Sequence, residues 1–234
     1  RQWWAAFPED GSHLARYATM FSGAEINSSF YRHHRRATYE RWAAAVPDVF
    51  RFAVKLPRTI THDQSLVAAE IPLEVFLEEV RGLGKRLGPL LVQLPPSLPF
   101  VEEHAEAFFA LLRSMHGGGV ACEPRHASWF AADADAFLTA HGVARVAADP
   151  ARVPEAAAPG GAREITYYRL HGSPRMYYSD YAEGFLGMMA HALARDAAHA
   201  SQCWCIFDNT TLGAATGNAL VLARMLGLQT ASTA

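Results

Sequence analysis

The chain has 234 residues, of which 50% are apolar and 19% charged, which supports one sizeable core and excludes a disordered chain. Its 21 Lys and Arg against 23 Asp and Glu give a net charge of -2, so the composition points to no polyanion partner. Three cysteines make no disulfide framework and favour a reducing compartment. With no apolar run of membrane-spanning length and no signal peptide visible, we expect one cytoplasmic domain over residues 1–234.

Short β-type runs alternate with amphipathic segments along the whole chain. The predicted strands are Ala24–Ser28, Phe50–Leu56, Leu90–Leu94, Val120–Glu123, Val143–Ala147, Tyr167–His171 and Trp204–Phe207. The predicted helices are Ser12–Phe21, a helix with Pro72 in its first turn, Glu102–Met115 and Leu212–Leu226. Asp149–Gly161, rich in Pro, Gly and Ala, is predicted as a long loop. This order favours a TIM-barrel-like (β/α)8 architecture, with a doubly wound sheet as the alternative.

Polar side chains stand near the carboxyl ends of nearly all these strands, where a buried strand should be apolar. They are Glu25, Asn27, Lys55, Gln93, Glu123, Arg125, Asp149, Arg169, His171, Asp208 and Asn209. Residues two apart on a strand share a face, which predicts three same-face pairs: Glu25 with Asn27, Glu123 with Arg125, and Arg169 with His171. In a barrel such pairs converge on the carboxyl-end mouth, where active sites of this architecture lie. A buried polar network with a purely structural role is the alternative.

Several of these segments, in this order, resemble the DUF72 (YecE-like) family. They are Glu25–Tyr31, Phe52–Lys55 with Thr61 and His62, Gln93–Ser97, Glu123–His126 with Ser128 and Trp129, Arg169–Gly172, and Phe207–Asn209 followed by Gly213, Ala215, Asn218 and Ala219. The resemblance implies a TIM-barrel-like fold, no established reaction, and a presumed pocket surrounded by the motif residues. Family members usually open with a strand ending in a Gly-Thr-Ser-Gly-Trp-like turn. This chain begins just past that turn, so we expect the first strand to be absent from it, which would leave strand edges unpaired. Three alternatives follow: the sheet closes with seven strands, another segment fills the gap, or the missing strand exists outside this chain.

The residue types at the mouth predict an enzyme acting on a small, polar, anionic substrate. His171 is the candidate general acid or base because histidine titrates near neutral pH, and Glu123 or Glu25 would assist it. Hydrolysis and isomerisation both fit. The predicted substrate-binding set comprises cations for the anionic group and polar side chains for orientation: Asn27, Lys55, His62, Gln93, Arg125, Arg169, Asp208 and Asn209.

Other classes of function have weaker signals in the sequence. A metal could take ligands from Glu25, Glu123, His171 and Asp208, but the neighbouring cations would repel it. No cofactor motif is present either, so we predict no metal and no cofactor. The basic run Arg32–Arg36 and the tyrosines at 177, 178 and 181 would suit a nucleic-acid-binding or repair-associated protein. A barrel without catalytic activity is the third alternative.

Overall fold

The structure, a computed structural model, describes residues 3–228 and alternates strands with helices as the sequence predicts. The strands are β1 (Gly23–Ile26), β2 (Arg51–Lys55), β3 (Leu87–Gln93), β4 (Val120–Glu123), β5 (Ala144–Arg145), β6 (Ala147–Asp149), β7 (Gly160–Gly161), β8 (Ile165–Leu170) and β9 (Gln202–Phe207). The helices are α1 (His13–Met20), α2 (Arg36–Ala44), α3 (Glu70–Val80), α4 (Glu102–Met115), α5 (Ala132–Ala140), α6 (Glu183–Ala197) and α7 (Ala214–Met225). Within residues 3–228, every helix is too short or too polar to span a bilayer.

The strands form a curved, parallel sheet in chain order. β1 to β5 pair successively, β6 pairs with β8, and β8 pairs with β9, all in parallel register. The two sheets join because β5 and β6 are consecutive segments around Val146, whose N–H donates to the Cys122 carbonyl in β4. Among residues 3–228, the facing edges of β1 and β9 have no strand between them. The fold is therefore TIM-barrel-like.

The inside of the barrel has an apolar floor on which the polar mouth rests. The floor consists of Ala53, Leu91, Ala121, Ala144, Val146, Ile165, Tyr167 and Trp204. The Trp204 ring stacks on Tyr167 with 5.9 Å between centroids, and it crosses so close to Gly23 and Gly88 that a Cβ there would lie 3.0 or 2.8 Å from it. Glycine at both positions lets one large ring fill the interior, which holds the layer above at the carboxyl ends of the strands.

The outer faces of the strands pack against the helices in two further apolar clusters. One cluster lies under α1 to α5 and contains Phe76, Phe108 and Phe109, and the other joins α6 and α7 to β8 and β9. Helix α1 begins as predicted after Ser12, whose hydroxyl accepts the Ala15 N–H at 3.2 Å. Helix packing thus fixes the strands whose ends carry the polar residues.

Two details differ from the expectations drawn from the sequence. The first predicted strand was drawn through Ser28, but β1 ends at Ile26 and Asn27 adopts helical backbone angles (φ -91°, ψ -17°), so Glu25 and Asn27 are not an alternating strand pair. The stretch Asp149–Gly161 is not featureless, since it contains the helical turn Pro154–Ala157 and β7, which pairs antiparallel with β5. The Arg145 guanidinium ties this stretch down by donating to the Glu155 carbonyl at 3.0 Å.

Candidate functional site

Arg169 is the centre of a buried ionic network at the mouth of the barrel. Its side chain is 1% exposed and binds Glu25 through two parallel hydrogen bonds, Nε to Oε2 at 3.0 Å and Nη2 to Oε1 at 2.7 Å. Nη1 donates to Glu123 Oε2 at 2.5 Å, and Nη2 lies 3.5 Å from Asp208 Oδ2. One guanidinium from β8 therefore contacts carboxylates near the carboxyl ends of three other strands, as its planar fork of donors allows.

His171 lies between two carboxylates. Its Nε2 is 3.1 Å from Glu123 Oε1 and its Nδ1 is 3.1 Å from Asp208 Oδ2, so an imidazolium would donate to both. Burial lowers the pKa of His171, but the hydrogen bonds to Asp208 and Glu123 outweigh burial and hold the pKa above its usual value. Glu123 shows the reverse balance: burial raises its pKa, whereas Arg169 and His171 bring the pKa well below its usual range.

We expect His171 to remain protonated above the ordinary histidine midpoint of about pH 6.5, because both neighbours stabilise its charged form. A titration of the ring resonances by NMR measures this midpoint directly. Asp208→Asn should move the midpoint down, since it removes one of the two anions. The exposed His191 of helix α6, whose Nδ1 lies 2.8 Å from the Gly187 carbonyl, is the reference, and its ring resonances should be the same in the wild type and the variant. A midpoint for His171 below 6 in the wild type would contradict the assignment.

Arg125 and Lys55 complete what we call the mouth cluster, whose members are Glu25, Lys55, Glu123, Arg125, Arg169, His171 and Asp208. Arg125 donates through Nε and Nη2 to Glu123 Oε1, at 3.3 and 3.1 Å, and its side chain is 16% exposed. Lys55 makes no ion pair with any described residue, and its ammonium lies 3.9 Å above the Phe30 ring. With His171 protonated, the basic groups of the cluster outnumber its carboxylates by one.

The chain builds the surroundings of Lys55 from the turn after β1. The Ser29 hydroxyl contacts the carbonyl oxygens of Ile26 and Lys55 at 3.0 and 2.7 Å, which fastens the turn Ser28–Phe30 to the end of β2 and places Phe30 under the ammonium. Burial and the neighbouring Arg169 lower the pKa of Lys55 to about 8. The sequence predicted Lys55 at the mouth but gave no sign that it lacks a carboxylate partner.

The remaining predicted residues lie around this cluster without joining its ion pairs. His62 lies in the helical turn Thr59–Asp63, with Nδ1 2.9 Å from the Thr61 hydroxyl, and burial and Lys55 lower its pKa. Gln93 is buried at the end of β3, and the Asn27 side-chain oxygen is buried without a hydrogen-bond partner. Asn209 donates to the Ser179 carbonyl and the Asn218 side chain, so its amide braces the loop after β8.

Sequence reasoning did not place two tyrosines beside the mouth cluster, although it named Tyr177 as an aromatic residue suited to nucleic-acid binding. The Tyr167 hydroxyl donates to Glu25 Oε2 at 2.8 Å, and the Tyr177 ring lies edge-on to His171 at 6.0 Å. Tyr167 could have been found, because Tyr167, Arg169 and His171 continue one period of two along the same face of β8. Tyr177 could not, since it depends on the course of the loop, where its φ is +69°.

A small cleft opens beside Glu123 and reaches three members of the cluster, Glu123, Arg125 and His171. It is lined by Pro124, Arg125, Ala148, Pro150, Arg152, His171 and Met176, among others. No set of three or more metal-ligating side chains with metal-site geometry occurs in the described part of the chain, and Arg169 occupies the space between the carboxylates that a cation would need. The arrangement suits an anionic ligand better than a metal ion.

The basic run after β1 is partly neutralised. Arg36 pairs with Glu78 at 2.6 Å and with Glu40 at 3.1 Å, and His33 Nδ1 is 3.2 Å from Glu79 Oε2. His34 Nε2 contacts the Ser28 hydroxyl at 2.8 Å. These contacts reduce the charge that the run offers to a phosphate backbone.

Comparison with known proteins agrees with this fold. The sequence profile of the family described as "Protein of unknown function DUF72" matches residues 2–234. The UPF0759 protein YecE of Escherichia coli K12 and that of strain O157:H7 are each 31% identical over 119 residues, which is 50% of this chain and 43% of theirs. The aligned stretch therefore spans less than half the length of these curated relatives.

Solved structures show the same architecture. A DUF72 family protein from Enterococcus faecalis V583 superposes with a TM-score of 0.80, at 24% identity, over 93% of this chain and 94% of that chain. One from Thermotoga maritima MSB8 superposes with a TM-score of 0.78, at 23% identity, over 94% and 92% of the two chains. Fold and mouth cluster together define a TIM-barrel-like protein with a charged carboxyl-end site. The chain belongs to the DUF72 family, whose function is not established.

Proposed function

We propose that the protein is an enzyme that performs acid–base chemistry on a small anionic substrate at the carboxyl-end mouth of the barrel. The proposal rests on the unequal pairing of charged groups in the mouth cluster, where every carboxylate has a basic partner but one basic group lacks a carboxylate partner. The carboxylates are saturated by Arg169 and His171, while Lys55 has no ion pair among the described residues and Arg125 is engaged only by Glu123. Arg125 lines the cleft, and its guanidinium, with the Lys55 ammonium as a neighbouring charge, would bind a phosphate or carboxylate group.

The exposed fractions of the carboxylate side chains support different roles for them within the cluster. The side chains of Glu25 and Glu123 are 4% and 2% exposed, whereas that of Asp208 is 21% exposed. Asp208 is therefore the carboxylate best placed to exchange a proton with a ligand, and His171 behind it supplies or stores that proton. Glu25 and Glu123 hold Arg169 and His171 in place. An acid and a base side by side would serve isomerisation or hydrolysis, and the three free cysteines agree with a reducing, cytoplasmic setting.

A ligand screen by thermal unfolding tests the proposal. Inorganic phosphate and small carboxylates should raise Tm in proportion to the logarithm of their concentration, because they bind the native state alone. Arg125→Gln should abolish most of the shift, since it removes an accessible guanidinium. The matched control is Arg41→Gln on the outer helix α2, which should keep the full shift.

An oligonucleotide belongs in the same screen because the alternative class is a nucleic-acid-binding protein. A shift with the oligonucleotide alone that fades steeply between 50 and 200 mM salt would favour that alternative, since phosphate-backbone binding releases counterions. No shift with any small anion would reject the proposed anion site.

A further inference from the structure

Lysine is almost absent from this chain. Of 21 Lys and Arg residues, only Lys55 and Lys85 are lysines, and arginine fills the other cationic positions, including Arg125 and Arg169 in the mouth cluster. Lys85 is exposed in the helical turn Arg81–Arg86, whereas Lys55 is 5% exposed. Arginine stays protonated in proteins and carries no amine lone pair. Lys55 therefore offers the site a chemistry that its cationic neighbours cannot supply.

The surroundings of Lys55 favour its neutral amine. The ammonium is buried, forms no ion pair with any residue from 3 to 228, and has Arg169 as a neighbouring cation, an effect that Glu123 and Glu25 offset only in part. Burial and Arg169 lower its pKa to about 8. About a tenth of such amines are neutral at pH 7, against less than about a thousandth for an unperturbed lysine of pKa about 10.4. Desolvation beside a second cation is a known way to activate a lysine nucleophile.

We propose that Lys55 forms an imine with an aldehyde or ketone group of the substrate. The proposal rests on the anion site proposed above and adds that the anionic substrate carries a carbonyl group. The Lys55 Nζ lone pair attacks the carbonyl carbon, a C–N bond forms, and the oxygen takes a proton while Nζ loses one. A second protonation releases that oxygen as water and leaves a C=N bond, so the step is redox-neutral. The protonated imine then withdraws electrons from the adjacent carbon, whose proton the Asp208 and His171 pair exchanges.

Reductive trapping tests this inference on the whole chain. The protein is incubated at pH 7 with sodium cyanoborohydride and either formaldehyde or glyoxylate, and intact mass and tryptic peptides locate the adducts. We expect Lys55 to label at least about tenfold faster than Lys85, because its neutral fraction is larger. The rate at Lys55 should level off above about pH 8. Lys55→Arg should lose the fast adduct, and Lys85→Arg should keep it.

The two probes separate this inference from the anion site. Formaldehyde carries no charge, whereas glyoxylate needs the anion site, so Arg125→Gln should slow labelling by glyoxylate only. Fast labelling by formaldehyde with no anion-induced rise in Tm would support the amine and reject the anion site. A rise in Tm with phosphate, but labelling of Lys55 no faster than Lys85 with either probe, would overturn the imine and leave Lys55 as a charge that holds the anion.

Discussion

Replacing Arg169 with Met should lower the free energy of unfolding by about 3–5 kcal/mol at pH 7, the range for breaking a buried ion pair from one side. The substitution leaves the carboxylates of Glu25 and Glu123 buried and without their main counter-charge, because Arg169 contacts both. Urea unfolding of the wild type and the variant measures the loss. Arg195→Met is the control, since Arg195 is 68% exposed beside Asp196 and should change stability by less than about 0.5 kcal/mol.

The same substitution should change the response to acid. In the wild type, the folded-state pKa of Glu123 is depressed, so its stabilising contribution is present above an unfolded pKa of about 4.3 and is lost as pH falls through the folded value. Without Arg169 this contribution shrinks, so the difference in unfolding free energy between the variant and the wild type should stay level from pH 7 to about 5 and narrow as pH falls below about 4.3. An Arg169→Met loss below about 1 kcal/mol, independent of pH, would contradict the central role of the guanidinium.

Replacing Lys55 with Met should instead raise the free energy of unfolding, by about 1–3 kcal/mol at pH 7, because it removes a desolvated ammonium that has no ion pair. The depressed pKa of Lys55 sets the sign of the pH dependence. Between about 8 and the unfolded value of about 10.4, the unfolded chain binds the proton more tightly, so wild-type stability rises with pH and the advantage of the variant disappears.

The second lysine provides the control for this comparison. Lys85→Met removes an exposed lysine outside the mouth cluster and should leave both the stability at pH 7 and its pH dependence nearly unchanged. A Lys55→Met variant less stable than the wild type would mean that the contact with Phe30 outweighs desolvation. If Lys55→Met is more stable than the wild type and no longer labels with aldehydes, the functional lysine lowers the stability of the native protein.

Much of the site could be predicted because a buried strand should be apolar, so charged residues at the strand ends indicate a functional or ionic site. Arg169 and His171 alternate at the end of β8, and the fold brings both to Glu123 of β4, as a barrel requires. The pattern could not say which carboxylate stays accessible, because the exposure of Asp208 depends on the course of the backbone beyond β9. Asn27 was assigned to a strand that ends one residue earlier, since a period of two carries no signal for the following helical turn.

The order of strands could be predicted from the sequence, but only some of the helices could. Helix α4 has a clear apolar face, with Ala105, Phe108, Phe109 and Leu112 buried, and its predicted bounds are confirmed. Helices α5 and α6 were not predicted, because Ala-rich or charged segments such as Ala132–Ala140 show weak amphipathic periodicity. Tertiary packing rather than pattern decides these segments.

Arg169 also contributes to the packing of β1, because it contacts this strand across the interior of the barrel. Backbone hydrogen bonds hold β1 only to β2 within residues 3–228, and across the interior its Glu25 is held by Arg169 and Tyr167 of β8. Side-chain contacts across the interior thus help to hold this wall of the barrel in place. If an anion binds at the proposed site and draws the guanidinium towards the cleft, it competes with Glu25 for the same positive charge, so anion binding and the strength of the contact between Arg169 and Glu25 would be thermodynamically linked.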